Sequence, residues 1–480
     1  MTPSAATHPD NEGNGRTTAK KGRRFAFPEN SCCERTSAQP FSKSSSDNSV
    51  AKSFSLLVII HELGHFLFAR IFGVRVEQFQ LFFGRPIASF TRRGTRYGIG
   101  WIPFGGYVKL AGMIDESMDT EQMKSEPKPD EFRSKPAWQR LLIMVGGVLM
   151  NILLALVIYI GISWKWGESY LSTRDMTYGY VFSPQGEEMG FRDGDRILSV
   201  NGETYDDFRQ LRIALLLEQN YTVEVLRDGD TVTFRTPVVS VNDLAQDAGF
   251  ISPRYPFLIG QVVEGSGAAE AGLRQGDRLV ELNGEPLAYF DQYTERLPQL
   301  SGTVAEVGIV RDSAGTSVVR HLPVRVSDDG RIGAAVDMLA VTPIHTMDYT
   351  FWQAVPAGTK RIGEEIGSYW KQLKLVFRPQ TEAYKSLGGP LSIGSIFPDE
   401  WNWPAFWEIT ALLSIILAVM NILPIPALDG GHVLFLLVEV ITGRKPGDKF
   451  MTYAQIAGML LLFTLIIYAT GNDIYRLFIK

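Results

Sequence analysis

His61, Glu62 and His65 stand together in His61-Glu62-Leu63-Gly64-His65, inside an apolar run from Phe54 to Val74. Side chains four apart share one helix face, so the two imidazoles can meet a single metal ion. Glu62 lies one position round the helix, within reach of a water that such an ion activates. The pattern suits zinc-assisted hydrolysis, in which the metal brings the water's pKa to about 7 and the carboxylate takes its proton. Ionisable side chains are costly in an apolar span and mark a functional site by default. With six histidines in the whole 480-residue chain, a pair at this spacing carries weight. The bland alternative is two histidines packed in a helix interior beside a partnered glutamate.

A site of this type needs a third protein ligand and an open position for water. Phe68 and Ile71 fill the nearby positions where a further histidine would serve, and Glu77 has no second ligand-bearing helix downstream to support it. The better candidate lies far along the chain, in Asn421-Ile422-Leu423-Pro424-Ile425-Pro426-Ala427-Leu428-Asp429-Gly430-Gly431. Two prolines and two glycines break a helix at membrane depth, which is tolerated only where protein or a water cavity covers the freed backbone. Asp429 is the carboxylate delivered there, and an oxygen ligand suits zinc. His432 is its rival.

The elements that position these residues are expected to be membrane helices. Phe54–Val74, Leu141–Ser163, Ala405–Leu423 and Met451–Thr470 are each close to the ~20 residues that cross a bilayer. Val433–Ile441 is apolar but too short. Counted from Phe54, the histidines fall in the outer half of the first span. Residues 1–50 read as a disordered polar tail that need not reflect the natural start. Arg70, Arg75, Arg92, Arg93, Arg96, Arg133, Lys135 and Arg140 follow the first span or precede the second, and Arg444, Lys445 and Lys449 separate the last two. Both segments are therefore expected in the cytoplasm and residues 164–404 outside.

The net charge of −5 and pI near 5.8 give no sign of a nucleic-acid partner. A mean hydropathy of +0.00 averages apolar blocks with a charged middle third. Cys32 and Cys33, adjacent in the polar tail, make no disulfide framework.

That middle third repeats itself. Phe191-Arg192-Asp193-Gly194-Asp195-Arg196-Ile197-Leu198-Ser199-Val200-Asn201-Gly202 matches Leu273-Arg274-Gln275-Gly276-Asp277-Arg278-Leu279-Val280-Glu281-Leu282-Asn283-Gly284. Each copy reads as a Gly-Asp turn, a short alternating strand and an Asn-Gly turn. Two β-rich units are expected, at 170–245 and 250–330. They resemble PDZ domains, which bind peptide ends by adding a strand to a sheet edge; the alternative is a sieve or spacer that binds no peptide.

Taken together, the HExxH, the distal Asn-x-x-Pro-x-Pro-x-Leu-Asp-Gly-Gly and the intervening PDZ-like pair resemble the site-2 protease family of intramembrane zinc metalloproteases. The two-PDZ, four-span layout is similar to its regulator-of-sigma-E protease branch. The resemblance covers residues 54–480 and implies a polytopic α-helical membrane protein with a re-entrant β-loop and two β-rich PDZ-like domains. Residues 54–163 would hold the first two spans with the β-loop, and 347–480 an amphipathic helix and the last two spans. It further implies a zinc ion on His61, His65 and Asp429, with Glu62 as catalytic base and His432 not a ligand. Gly98–Val108, with Gly105 and Gly106, would be the β-loop touching substrate backbone, and Asn151 and Asn421 would hold substrate or line the site. Interhelical hydrogen bonding is the duller reading of both amides. Implied substrates are membrane-anchored proteins, such as anti-sigma factors trimmed by an earlier protease, or remnant signal peptides. The implied place is a bacterial inner membrane, with the PDZ pair on its outer side. A membrane PDZ scaffold with a vestigial metal site is the competing class. A transporter would need more intramembrane acids than Glu62, Glu408 and Asp429 supply.

Overall fold

A computed structural model describes residues 46–113, 126–247, 249–313, 316–342 and 344–478. The polar-tail expectation falls almost wholly outside these residues. Helix α1 (Ser46–Ile71) begins well before Phe54, inside the serine-rich segment. Ser53 is buried there, and the Thr410 hydroxyl donates to its Oγ over 3.0 Å, so a packed neighbour satisfies the polar turn. The candidate span is Ser49–Ile71, which moves the histidines from the outer half to near its middle.

Among the described residues three further helices are long and apolar enough to cross a membrane. They are α2 (Ala137–Trp166), α4 (Trp403–Ile422) and α6 (Asp448–Phe478). Between them come α3 (Phe351–Val376), amphipathic, and α5 (Asp429–Thr442), whose 14 residues are too few to cross. Helix α2 is the hub, packed on α1, α3, α4 and α5. Its approach to α1 is set by glycine: a Cβ on Gly64 would lie 2.2 Å from the Gly146 carbonyl oxygen. Small residues at such crossings let backbones touch.

Strands β1 (Val76–Arg92) and β2 (Thr95–Leu110) form more than a hairpin. Residues 76–81 pair on one side with 106–110 and on the other with 96–99, while 86–92 pair with 95–100. The chain thus makes four strand segments in the order 106–110, 76–81, 95–100, 86–92. The fold-back needs a sharp bend, and Phe82 and Gly84 take φ of 66° and 91° there. Buried Gln80 holds that bend, its amide donating to the carbonyls of Phe82 (3.1 Å) and Gly84 (2.8 Å). At the other end Thr95 donates to the Val76 carbonyl and is reached by the Arg70 guanidinium, tying the sheet to the end of α1.

The sequence repeat reappears in three dimensions. Gly194 and Gly276 have φ of 92° and 87°, the strands Arg196–Val200 and Arg278–Leu282 follow, and Asn201 and Asn283 take φ near 50°. The motif aspartates do more than turn the chain. Asp195 is buried and takes both arms of Arg227 (2.8 and 2.7 Å); Asp277 takes both arms of Arg311 (2.6 Å each). Each also accepts from a backbone amide three residues back. Every copy builds its own apolar core, one around Tyr180, Leu215 and Val223, the other around Ile259, Tyr293 and Val307.

Candidate active site

The i, i+4 spacing places His61 and His65 on the face of α1 turned to α2, with their Nε2 atoms 3.3 Å apart. Both rings are buried. The third group arrives from the broken segment after α4. Ala427 takes φ of 86°, and the chain doubles back so tightly that a Cβ on Gly430 would lie 2.0 Å from the Leu423 oxygen. A Cβ on Gly431 would lie 2.6 Å from Pro426 Cα. The two glycines therefore let α5 start against its own approach loop, with Asp429 as first residue. Asp429 Oδ2 ends 3.1 Å from His61 Nε2 and 3.3 Å from His65 Nε2.

These three donor atoms fit a zinc ion. Tetrahedral ligands about 2.0 Å from zinc stand about 3.3 Å from one another, and the triangle here has sides of 3.1, 3.3 and 3.3 Å. Asp429 Oδ2 is buried with no hydrogen-bond partner, an acceptor left for something else. Among the described residues His61, His65 and Asp429 are the one group of three arranged this way. His432 is not in it; it lines a small cavity with Phe132, Arg140 and Phe435. Glu77 faces Arg75 instead.

The surroundings hold these donor groups in place. His65 Nδ1 lies 2.9 Å from the Ile143 carbonyl, so its N–H donates there and Nε2 keeps its lone pair. Asn151, wholly buried, sits with Nδ2 3.1 Å from His61 Nδ1, and Asn421 Nδ2 is 3.4 Å from His61 Nε2. Gly147 closes the back of the site. A Cβ there would lie 2.6 Å from both His61 Cε1 and His65 Nε2. The roles of Gly147 and of Gln80 escape a reading of the sequence. For Gly147 the signal was the Gly-Gly pair inside an apolar span; for Gln80 it was a lone amide between aromatic residues.

Gly106 brings the sheet to Glu62, since a Cβ there would lie 3.6 Å from Glu62 Cγ and 2.8 Å from Val58. The Val108 backbone lies close to the same carboxylate. Gly105 has φ of 69° and lies against the Phe83 ring. Segment 106–110 is an edge: among the described residues no further strand pairs with its other side. Gly98–Gly100, at the start of the expected loop, lie on an inner strand instead.

The model of peptidase family M50 matches residues 49–465. Protease RseP of Yersinia pestis is 29% identical over 456 residues, covering 88% of this chain and 97% of the relative. The regulator of sigma E protease of Salmonella typhi is 28% identical over 453 residues with the same coverage. A candidate zinc metalloprotease of Neisseria meningitidis is 30% identical over 452 residues, again 88% and 97%. With a histidine pair and a distant aspartate spaced for zinc, and a match along nearly its whole described length, this chain belongs to peptidase family M50 and is a zinc metalloprotease.

Proposed function

We propose that the protein cuts peptide bonds within transmembrane segments of membrane-anchored substrates, with His61, His65 and Asp429 as zinc ligands and Glu62 as catalytic base. The observation that carries this reading is the donor triangle itself, seated on a candidate membrane span between α1 and the start of α5. Zinc bound there supplies Lewis acidity that polarises a carbonyl and acidifies a water. Glu62 then takes the water's proton and returns it to the departing amine. Gly147, Ile143 and Asn151 hold the imidazoles still while this happens.

A substrate helix hides its carbonyls in its own hydrogen bonds and must unwind before hydrolysis. Segment 106–110, the end of the re-entrant loop, receives it: a strand at the edge of the described sheet, beside Glu62, can replace the lost backbone bonds. Gly105 and Gly106 keep that edge clear of side chains, and Asn421, partly buried beside His61, holds the opened strand. The β-rich units at 170–245 and 250–330 are PDZ-like domains outside the inner membrane, by the basic residues of the loops opposite. They screen out bulky substrates or take peptide ends. Likeness to relatives named for sigma E regulation points to anti-sigma factors already trimmed by another protease, or to remnant signal peptides.

The test is cleavage of a tagged single-span substrate by the full chain in membranes, beside Glu62→Gln. Loss of cleavage in the variant, and in wild type treated with a zinc chelator and restored by zinc, is the expected result. Cleavage that survives in Glu62→Gln would overturn the assignment. A soluble peptide cut as fast as the embedded one would move the reaction to the membrane surface.

A further inference from the structure

Asn151 has no route to a substrate: it is wholly buried on α2, one turn beyond Gly147, and the Ser414 hydroxyl of α4 caps its carbonyl at 2.8 Å. We infer that Asn151 is a positioning residue, whose amide oxygen fixes His61 in the tautomer and ring orientation that bind zinc. This rests on His61 being a ligand, as proposed above.

The second nitrogen of the imidazole decides which tautomer can bind zinc. His61 Nε2 faces Asp429 and His65, so ligation uses that atom's lone pair and the ring's hydrogen must sit on Nδ1. That N–H is buried and needs an acceptor. His65 has the equivalent need and meets it with the Ile143 carbonyl. Among the described residues the polar group bonded to His61 Nδ1 is the Asn151 amide, 3.1 Å away. The two ends of an asparagine amide have nearly the same shape, and the network decides which end faces which atom. Among the described residues Asn151 Oδ1 is buried without a partner, and the amide bonds to no group other than His61. Turning Oδ1 to Nδ1 breaks no bond to a third residue and gives the N–H its acceptor. Facing Nδ2 instead, the ring would carry its hydrogen on Nε2 and lose the ligating lone pair. Gly147 makes the placement strict, because its missing Cβ is where the two rings meet α2.

The experiment reads metal rather than turnover. The purified full chain is loaded with zinc or with cobalt(II), and affinity is measured by competition with a chelator alongside the cobalt visible absorption. Asn151→Leu keeps the volume and removes the acceptor, and is expected to weaken zinc binding by roughly 10–100-fold, the usual cost of losing such a partner. The cobalt spectrum should change with it. Asn151→Asp keeps an acceptor at the same place and should restore both readouts. If leucine does not fit, Asn151→Ala carries the same expectation. Wild-type affinity and spectrum in Asn151→Leu, with KM raised instead, would overturn the inference in favour of a substrate role. Aspartate and leucine variants equally weak would also overturn it. His61→Ala separates the two layers: if it keeps zinc, the ligand assignment itself has failed.

Discussion

At Gly147 the demand on the chain is purely geometric, because the space a methyl group would take is occupied by two imidazole rings. Gly147→Ala is expected to lower zinc affinity by roughly tenfold or more, on the scale of losing an outer-shell partner. Zinc content of the purified protein after mild chelation checks this. Glu62 makes the contrasting case. It is adjacent to the three proposed ligands without being one of them, so Glu62→Gln should keep zinc at wild-type stoichiometry. Cleavage should fall by roughly 10²–10⁴-fold, the range for loss of a general base. Loss of zinc from Glu62→Gln would mean that the carboxylate helps to hold the metal. His432, the rival ligand at sequence level, is held apart by one turn of α5, which points Asp429 at the histidines and His432 into the neighbouring cavity.

The sheet shows what an element adds. Alternation and glycine content suggest an edge near the site, but the fold-back that makes 106–110 that edge depends on the bend at Phe82–Gly84 and on Gln80. Gln80→Leu leaves the carbonyls of Phe82 and Gly84 without their donor; being only partly buried, they cost less than the about 1–3 kcal/mol of a fully buried unsatisfied group. The expected outcome is weaker cleavage of a membrane substrate with zinc content unchanged, read in the same membranes by substrate blot and metal analysis. An unaltered cleavage rate would detach the edge from substrate handling. Helix α1 teaches the same lesson. Its serines argue against a membrane helix when taken singly, yet Ser53 is satisfied by Thr410 of α4 and the helix runs through them.

Across the whole molecule, helix α3 touches both halves. A Cβ on Gly358 would lie 2.8 Å from the Ile160 backbone of α2, and Arg361 pairs with Glu408 of α4 while stacking 4.6 Å over Tyr159. On its other side Lys371 reaches Glu218 at 3.1 Å and Gln210 reaches Glu364 at 3.3 Å, both in the first β-rich unit. The first β-rich unit is thus mechanically linked to α3, as the proposed screening role needs. The second unit depends on Asp277, whose loss strands the Arg311 guanidinium. Asp277→Ala should destabilise that unit by about 3 kcal/mol, since removing one partner of a buried pair costs about 3–5 kcal/mol and Arg311 keeps some water. Hydrogen exchange in the full chain should then quicken across 278–325. Cleavage of an already trimmed substrate should persist while intact substrates are cut faster. Unchanged discrimination would remove this unit from the screen.

Much of the chemistry was legible from residue order because it is local: two histidines four apart need only one helical turn to share a face, with Glu62 one position round from them. The four membrane helices were legible for a similar reason, since a bilayer reads apolar length directly, and so was the repeat, whose turns are encoded in neighbouring residues. What joins Asn421 to His61 across 360 positions, and Asn151 to it across 90, is packing alone. The start of α1, the double-sided pairing of 76–81 and the orientation of Asn151 each hang on a partner distant in sequence, so only the tertiary structure decided them. A hydrogen bond or a backbone clash is a relation between two places in space, and no spacing along the chain carries it.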